Sequence, residues 1–373
     1  MELREQFEVA KGEGLKTAAE YTLHLLGKTA LGEKAIERWA FELSDRVEDP
    51  ALLTTLAGIE FENPIMVGAG WDKKGWAVRG LYQLGFSGVE VGTVPLFPQP
   101  GNKKPRMETV GQRHGVGHNS LGFNAKGVEV VKTNLDDQQP FPCPVGINVG
   151  KNKLVAASFS PWAHAEVVMR LYPYASYFVF NPSSPNTERL RELQAREAVK
   201  AHVGAMQEAM IESGGLKPLF IKLAPDLTRS EFYEVIDTAV EEQATGLVLV
   251  NTTNSGRIKS KYGLDHKSGG LSGNDWEYRA IASQMVAEAY ERAGDKLEII
   301  GVGGISEPEH AIERMLAGAS ITQSVTGIRE HWGRNAARIN RGILKWMEHG
   351  EINNIQEIIG GATKRGPKYP KAD

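Results

Sequence analysis

The sequence predicts an α/β protein, a (β/α)8 TIM barrel that carries an amino-terminal helical extension. Three observations support this fold class. Short apolar runs alternate with longer segments of helical spacing from residue 58 onward, and eight such units follow one another. Their combined length is close to the roughly 250 residues of a typical barrel. Most of the runs lack apolar–polar alternation, as expected of parallel strands buried on both faces.

Composition indicates a soluble globular protein. The chain has 373 residues, of which 41% are hydrophobic and 24% are charged, and its net charge is −3. That charge argues against a nucleic-acid partner held by phosphate contacts. The single cysteine, Cys143, excludes an internal disulfide and a cysteine-built cluster or zinc site, and it favours a reducing compartment. The first residues resemble neither a secretory signal nor a transit peptide, and we expect no membrane-spanning segment.

Residues 1–57 precede the repeating pattern and form the predicted extension. Leu15–Leu26 and Glu33–Val47 carry apolar stripes of helical spacing and are joined near Gly27–Gly32. One interpretation is a helical cap packed on the barrel. The other is an amphipathic pair that meets a membrane surface or a lipophilic substrate.

The barrel is predicted to span residues 58–359, followed by a flexible tail over 360–373. Helical spacing between the strands is clearest over Glu231–Gln243 and Glu307–Leu316. An open doubly wound sheet is the alternative, but no run leads into a G-x-G-x-x-G turn. The eight predicted strand regions are Asn63–Gly70, Gly88–Val94, Pro144–Gly150, Tyr177–Asn181, Pro218–Pro225, Gly246–Thr253, Glu298–Ile305 and Ser320–Gly327.

Two insertions interrupt the repeat. Pro95–Phe141 is long and glycine-rich, and within it Lys104–His118 predicts a hairpin beside the barrel mouth. Asn254–Asn274 is the second insertion. Both follow carboxyl ends of strands, the face on which barrel enzymes place their chemistry.

The strand ends carry amides, hydroxyls and lysines. Asn181–Asn186 directly follows the apolar run Tyr177–Phe180, and as an isolated segment it is also compatible with a simple turn. Carboxylates and histidines are scarce at these ends, so we expect neither a metal site nor a catalytic carboxylate pair. Such a set suits an anionic, planar ligand rich in amide groups.

Two features sharpen this expectation. Gly303 and Gly304 follow the seventh predicted strand, where backbone amides of a barrel commonly hold phosphate, although plain turns also use glycine. Lys222 lies within the buried run Phe220–Leu223. Burying an unpaired ammonium group is costly, so this lysine favours a functional role.

These motifs, in this order, resemble the FMN-dependent dihydroorotate dehydrogenase family from about Gly58 to Gly361. So many blocks in one order make the resemblance specific. The matching blocks are Ala69–Lys73, Gly101–Arg106, Gly146–Asn152, Asn181–Asn186, Lys222–Asp226, Asn251–Thr253, Gly269–Gly273 and Gly301–Gly304.

The resemblance implies oxidation of (S)-dihydroorotate to orotate in pyrimidine biosynthesis, with FMN as cofactor. Serine at position 184 and the amino-terminal extension resemble the quinone-reducing, membrane-associated class 2. That class implies a quinone acceptor, peripheral contact of residues 1–57 with the cytoplasmic side of the cell membrane, and no iron–sulfur partner. A soluble cytoplasmic serine-type enzyme using fumarate or oxygen, or another FMN-barrel oxidoreductase, is the alternative.

The resemblance also implies residue roles. Ser184 is the expected base, with Thr187 and an ordered water as its relay and Phe123 as a screen, because an unassisted serine is a poor base. Lys222 is expected at the flavin N1/O2 edge, where a cation stabilises the reduced form. The expected substrate contacts are Lys73, Asn119, Ser120, Leu121, Gly122, Phe123, Asn181, Asn186, Asn251 and Thr252. The expected cofactor contacts are Ala69, Gly70, Lys73, Thr93, Asn148, Asn181, Lys222, Val250, Gly273, Gly304, Val325 and Thr326.

Three residues depart from the class 2 pattern. Ser120 replaces the usual arginine and resembles the soluble group, Pro182 stands where a β-branched residue is usual, and Val325 replaces the tyrosine before Thr326. Two other functions remain open from the residues alone. A phosphosugar aldolase or isomerase would use Lys222 for a Schiff base or for charge, and a silent FMN-binding homologue would lack turnover.

Overall fold

The computed structural model describes residues 46–110, 115–184 and 193–365. The two predicted amino-terminal helices lie outside these ranges, apart from Arg46 and Val47 at the end of the second. Asn186 and Thr187 also lie outside them, as does the end of the predicted tail, residues 366–373.

Eight parallel strands close into a barrel, which confirms the predicted (β/α)8 barrel and all eight predicted strand regions. Around the barrel the order is β3-β4-β7-β8-β9-β10-β12-β13, and β13 pairs with β3. The strands of the described residues are β1 (Thr54–Leu56), β2 (Ile59–Phe61), β3 (Ile65–Val67), β4 (Val89–Val94), β5 (Met107–Val110), β6 (Val116–Asn119), β7 (Val145–Val149), β8 (Tyr177–Phe180), β9 (Leu219–Leu223), β10 (Gly246–Leu249), β11 (Gly270–Gly273), β12 (Glu298–Val302) and β13 (Ile321–Ser324).

Helices follow the barrel strands and cover their outer face. The α-helices are α1 (Val78–Gln83), α2 (Val128–Asp136), α3 (Ser160–Leu171), α4 (Arg196–Ser213), α5 (Arg229–Glu241), α6 (Gly256–Ser260), α7 (Trp276–Ala293), α8 (Pro308–Leu316), α9 (Thr326–His331) and α10 (Asn335–His349). Short 3₁₀ helices occur at Pro50–Leu52, Ala157–Phe159, Tyr172–Tyr174, Gly294–Lys296, Trp332–Arg334 and Ile355–Ile358. In the part of the chain that the structure describes, no helix has the length and apolar character of a membrane span.

Local sequence explains the best-predicted helices. α5 begins with a capping box, in which the Thr228 hydroxyl accepts from the Glu231 amide while the Glu231 carboxylate accepts from the Thr228 amide at 2.8 Å. Its apolar stripe, which includes Phe232 and Ile236, is buried. The helix therefore confirms the prediction over Glu231–Gln243, and α8 confirms the prediction over Glu307–Leu316.

The β1–β2 hairpin closes the amino-terminal end of the barrel. Leu56 and Phe61 pack with Met66, Val248 and other residues of the barrel interior. The predicted boundary at residue 58 falls in the turn of this hairpin, so Leu56 packs inside the barrel although the sequence assigned it to the extension. The opposite, carboxyl end of the barrel is left open for a site.

A three-stranded antiparallel sheet, here called the mouth sheet, consists of β5, β6 and β11. β5 and β6 confirm the predicted hairpin over Lys104–His118. β11 comes from the second insertion and pairs with β6, with Leu271 opposite His118. The two insertions thus join beside the carboxyl ends of the barrel strands.

The predicted tail begins as an ordered segment. The Gly360 amide donates to the Met315 carbonyl at 2.9 Å, and Ala362 donates to Leu316 at the same distance. The Arg365 guanidinium donates to the Tyr290 carbonyl at 3.0 Å. Residues 360–365 are therefore attached to α7 and α8, and flexibility stays a prediction for the remainder.

Candidate active site

The carboxyl ends of the barrel strands surround a cavity with about 1190 Å³ of empty space, part of it continuous with solvent. The mouth sheet contributes to its wall through Met107, Gly117 and Ser272. The predicted site residues on the wall are Ala69, Gly70, Lys73, Thr93, Asn119, Leu121, Phe123, Asn181, Ser184, Lys222, Val250, Asn251, Thr252, Gly273, Gly304, Val325 and Thr326. Because these residues come from many strand ends, closure of the barrel is what brings them together.

Asn181, directly after β8, is the centre of a hydrogen-bond network and is 3% exposed. Its Nδ2 donates to Asn148 Oδ1 at 2.9 Å and to Thr93 Oγ1 at 3.1 Å. Its Oδ1 accepts from Ser183 Oγ at 3.1 Å and from Asn251 Nδ2 at 3.4 Å. Both ends of the amide are engaged, so its orientation is fixed by strands on either side of β8.

Ser183 and Ser184 differ in where they face. Ser183 is fully buried, and its Oγ accepts from Asn251 Nδ2 at 3.0 Å in addition to bonding Asn181. Ser184 is 5% exposed and lies on the cavity wall. The first serine supports the amide network, whereas the second lines the cavity.

Lys222 has a buried partner that the sequence analysis missed. Glu90, in β4, is fully buried, and its Oε1 lies 3.7 Å from Lys222 Nζ. The same carboxylate accepts from Gln323 Nε2 at 2.5 Å and from Asn148 Nδ2 at 2.8 Å. The sequence did contain a signal for Glu90, because an acidic residue in the apolar run Gly88–Val94 needs buried partners.

A glycine cradle lies on the cavity wall beyond β12. Gly303 and Gly304 have φ of +105° and +79°, in the left-handed region that favours glycine. A Cβ at Gly304 would lie 2.3 Å from Arg279 Cγ, so a side chain would not fit there. Nearby, the Ser272 and Thr326 hydroxyls lie 3.1 Å apart. Closely approachable backbone and hydroxyl donors fit a phosphate group.

Other wall residues are held by specific contacts. Lys73 Nζ donates to Asn124 Oδ1 at 2.7 Å. The Tyr278 hydroxyl donates to the Asn251 carbonyl at 2.9 Å, and burial raises the pKa of this tyrosine well above its usual range. Phe123 is buried on the wall with φ of +50°. The cavity is thus lined by apolar surface and by polar groups in fixed orientations, as in small-molecule sites.

Some predicted residues do not line the cavity. Asn148 lies beneath the wall in the Asn181 network. Ser120 donates its backbone amide to the Arg106 carbonyl at 2.9 Å, and Gly122, with φ of +67°, packs against Asn102. Asn186 and Thr187 lie outside the described residues. The roles of all five stay predictions.

The sequence analysis assigned no contact to several further wall residues, namely Trp71, Met107, Gly117, His118, Ser272, Tyr278, Val302, Ile305, Gln323 and Arg329, whereas Gly303, also on the wall, was expected beside a phosphate. His118 Nδ1 lies 3.0 Å from Glu108 Oε1, and Lys267 bonds the other carboxylate oxygen at 2.8 Å. The hydrogen bond from His118 is the main cause that lowers the Glu108 pKa. Of these three groups His118 lies on the cavity wall. The pairing of β11 with β6, which sequence spacing does not reveal, accompanies the contact between Lys267 of the second insertion and Glu108 of β5.

One cluster of potential metal ligands exists among the described residues. Glu307, Glu330 and His331 each place a ligand atom within 4.8 Å of the others. Glu307, however, already pairs with Arg338 and, at 2.9 Å, with His331. We therefore interpret the cluster as an ion-pair network.

The closed barrel, with a cavity at the carboxyl ends of its strands, defines a (β/α)8-barrel enzyme. The family model described as dihydroorotate dehydrogenase matches residues 51–347. The chain belongs to the dihydroorotate dehydrogenase family, as its sequence motifs predicted.

Relatives and solved structures agree with this membership. A protein named dihydroorotate dehydrogenase (quinone) from Anaeromyxobacter sp. (strain K) is 37% identical over 319 residues, covering 85% of this chain and 87% of the relative. A protein of the same name from Mycobacterium tuberculosis (strain H37Rv) is 36% identical over 320 residues, covering 86% and 87%. The ligand-free DHODH structure from Eimeria tenella has a TM-score of 0.79 at 31% identity and covers 89% of this chain and 98% of its own. The structure of DHODH from Eimeria tenella in complex with ferulenol also has a TM-score of 0.79, at 30% identity, and covers 89% of this chain and 95% of its own.

Proposed function

We propose that this protein oxidises (S)-dihydroorotate to orotate in pyrimidine (UMP) biosynthesis, with FMN as its cofactor and a quinone as its electron acceptor. Family membership and the names of the relatives support the reaction and the acceptor. The observation that carries the proposal is structural. Ser184, the Asn181 amide network and Lys222 belong to a single cavity, with the glycine cradle on the same wall.

Three features of the cavity fit FMN. The glycine cradle and the Ser272–Thr326 hydroxyl pair supply donors for its phosphate. Lys222 offers a cation for the N1/O2 edge. Gly70 has φ of +104° and no atom within 4 Å of a Cβ built on it, so a flat ring can approach its backbone closely. Bound there, FMN supplies the acceptor for the hydride that leaves C6 of dihydroorotate.

Amide groups are suited to the ring of the substrate. Asn181 is held in one orientation, and the Thr252 amide donates to Asn251 Oδ1 at 2.8 Å. Asn251 therefore keeps its Nδ2 directed toward Ser183 and Asn181. Asn119 and Lys73 also line the cavity, and the lysine provides positive charge for the substrate carboxylate. Fixed donors and acceptors of this kind favour a planar ring that carries carbonyl and N–H groups.

Ser184 is the base in this proposal. It removes the proton from C5 while the hydride leaves C6, so that a C5=C6 double bond forms. The serine is almost completely buried, and Phe123 lies on the same wall, which keeps bulk water from the reacting atoms. Since a serine hydroxyl is a weak base, its proton needs a route outward, and we assign Thr187 and an ordered water to that relay.

We further propose that residues 1–57 bring the protein to the cytoplasmic side of the cell membrane as a peripheral enzyme, where a lipophilic quinone is available. The apolar stripes over Leu15–Leu26 and Glu33–Val47 support this placement. A soluble cytoplasmic serine-type enzyme that uses fumarate or oxygen is the second candidate, favoured by Ser120. No iron–sulfur partner is needed in either case.

Steady-state rates with dihydroorotate and different acceptors test the proposal. We expect turnover with ubiquinone or menaquinone to exceed turnover with fumarate, oxygen or NAD. Faster turnover with fumarate or oxygen would contradict the quinone assignment but keep the substrate. Absence of turnover with every acceptor, from protein that contains FMN, would contradict the proposed function.

A further inference from the structure

Arg314, in α8, is a buried arginine that the proposed reaction does not use. Its side chain is 1% exposed. One guanidinium nitrogen, Nη1, donates to the Val302 carbonyl at 2.6 Å, and Nη2 donates to the Gly303 carbonyl at 3.1 Å. Nε donates to Ser283 Oγ at 3.3 Å. The guanidinium therefore holds two successive carbonyls at the start of the glycine cradle.

The stability of the fold alone does not explain why an arginine occupies this buried position. Among the described residues no carboxylate forms an ion pair with Arg314, and the adjacent Glu313 pairs with Arg279 at 3.7 Å. Burial lowers the pKa of Arg314 to about 10, which reflects the cost of keeping its charge away from water. An apolar side chain of similar volume would avoid the cost of burying the charge, although it would lose the hydrogen bonds to the two carbonyls.

The geometry of the peptide units connects Arg314 to the cavity. In a trans peptide the carbonyl and the following N–H point in opposite directions. The Val302 and Gly303 carbonyls both accept from the guanidinium, and the Val302 carbonyl also accepts from the Val250 amide at 3.0 Å. The N–H groups of Gly303 and Gly304 are therefore directed away from the guanidinium. Gly303 and Gly304 both lie on the cavity wall. Successive N–H groups turned to one side form an anion-binding concavity.

We propose that Arg314 is a positioning residue for the phosphate of the cofactor. It fixes the Val302 and Gly303 carbonyls so that the next two amides face the phosphate, and its own charge is compensated by the bound dianion. The inference rests on the proposed function, because it takes the phosphate-bearing ligand of this cavity to be FMN.

Binding of FMN and of riboflavin, which lacks the phosphate, separates this role from a structural one. We expect Arg314→Met to raise the dissociation constant for FMN by about tenfold or more, since charge-assisted contacts are lost. The dissociation constant for riboflavin should change by less than about twofold, because the ring contacts are untouched. Both constants can be measured by quenching of flavin fluorescence on full-length protein stripped of bound cofactor. Arg341→Met, an exposed change of equal charge in α10, is the matched control and should alter neither constant.

Arg314→Lys provides a second variant if the methionine protein does not fold. It keeps the charge, but one ammonium group cannot hold two carbonyls as the planar guanidinium does. We expect weaker FMN binding than in the wild type, with riboflavin binding retained. An unchanged FMN constant, or equal weakening of FMN and riboflavin, would overturn the proposal. Failure of the wild-type protein to bind FMN would contradict the proposed function instead, so the two failures are distinguishable.

Discussion

Among single residues, the end of β8 places two neighbouring serines differently, one within the amide network and one on the cavity wall. Ser183 is enclosed by Asn181 and Asn251, at 3.1 Å and 3.0 Å, whereas Ser184 lies on the cavity wall. The two hydroxyls are adjacent in sequence and chemically identical. Any difference between the effects of replacing Ser183 and of replacing Ser184 therefore reports on where each hydroxyl lies.

Ser184→Ala should leave the flavin bound and slow its reduction by dihydroorotate by about 10²–10⁴-fold, the usual loss when a general base is removed. The measurement is anaerobic stopped-flow absorbance of the flavin band. Ser183→Ala is the matched control. Because Ser183 supports the Asn181 network, this change should weaken the binding of dihydroorotate more than it slows the limiting rate of flavin reduction. Equal limiting rates for Ser184→Ala and the wild type would refute the base assignment.

Residue type and strand position were enough to select Lys222 and Asn181 from the sequence. A buried lysine and an amide at a strand end are unusual in a packed core, and both line the cavity. Glu90 was recognisable as an acidic residue that needs buried partners, but its pairing with Lys222 was not predictable. That pairing depends on which side chains of separate strands point into the barrel at the same height. Arg314 was missed for a similar reason, since its helical position reads as an ordinary polar residue.

Among secondary-structure elements, the barrel strands were predicted well and the mouth sheet only in part. Strands buried on both faces leave continuous apolar runs, and outer helices leave 3.6-residue periodicity, so both can be recognised locally. The β5–β6 hairpin is also local. β11 lies about 150 residues further along the chain, and its pairing with β6 follows from tertiary contacts that no local pattern encodes.

Deletion of residues 1–45 tests the role of the extension. If this segment guides a quinone to the cavity, its loss should lower quinone turnover by about tenfold or more, since membrane and quinone contact depend on it. Anaerobic reduction of the flavin by dihydroorotate should be retained, because the cavity is built from the barrel and the mouth sheet. Unchanged quinone turnover by the truncated protein would contradict this role.

For the whole molecule, two buried histidines behind β8 predict sensitivity to acid. His202 stacks on Phe180 with ring centroids 4.6 Å apart, and His164 lies 4.9 Å from His202. Burial is the main cause of a lowered pKa at both histidines. The pKa of His202 falls to about 4, and the pKa of His164 falls well below its ordinary value. The positive charge of Lys151 lowers both pKa values further. Both side chains are therefore neutral in the folded protein at neutral pH.

The lowered pKa values of the two histidines determine how the free energy of unfolding changes with pH. In the unfolded chain each histidine binds a proton below about pH 6.5, whereas the folded protein resists protonation until a lower pH. The free energy of unfolding is thus unaffected by them above pH 6.5. It decreases toward pH 4 by at most about 1.4 kcal/mol per histidine for each pH unit.

His164→Leu should reduce this acid sensitivity. Among the residues that the structure describes, neither ring nitrogen of His164 has a hydrogen-bond partner, so an apolar side chain of similar size loses no such contact there. We expect the thermal midpoint to fall less between pH 7 and pH 5 than it does in the wild type. His349→Leu, at an exposed position of α10, is the control and should leave the pH dependence unchanged. An identical pH profile for His164→Leu and the wild type would contradict the assignment.

Our central claim is that the protein binds FMN in this cavity and oxidises dihydroorotate there. Anaerobic titration of the purified protein with dihydroorotate, followed by visible absorbance, tests it most directly. We predict a yellow protein whose flavin band is bleached by dihydroorotate, with one orotate formed per flavin. A colourless protein that takes up no added FMN, or a flavin band that dihydroorotate leaves unchanged, would contradict it.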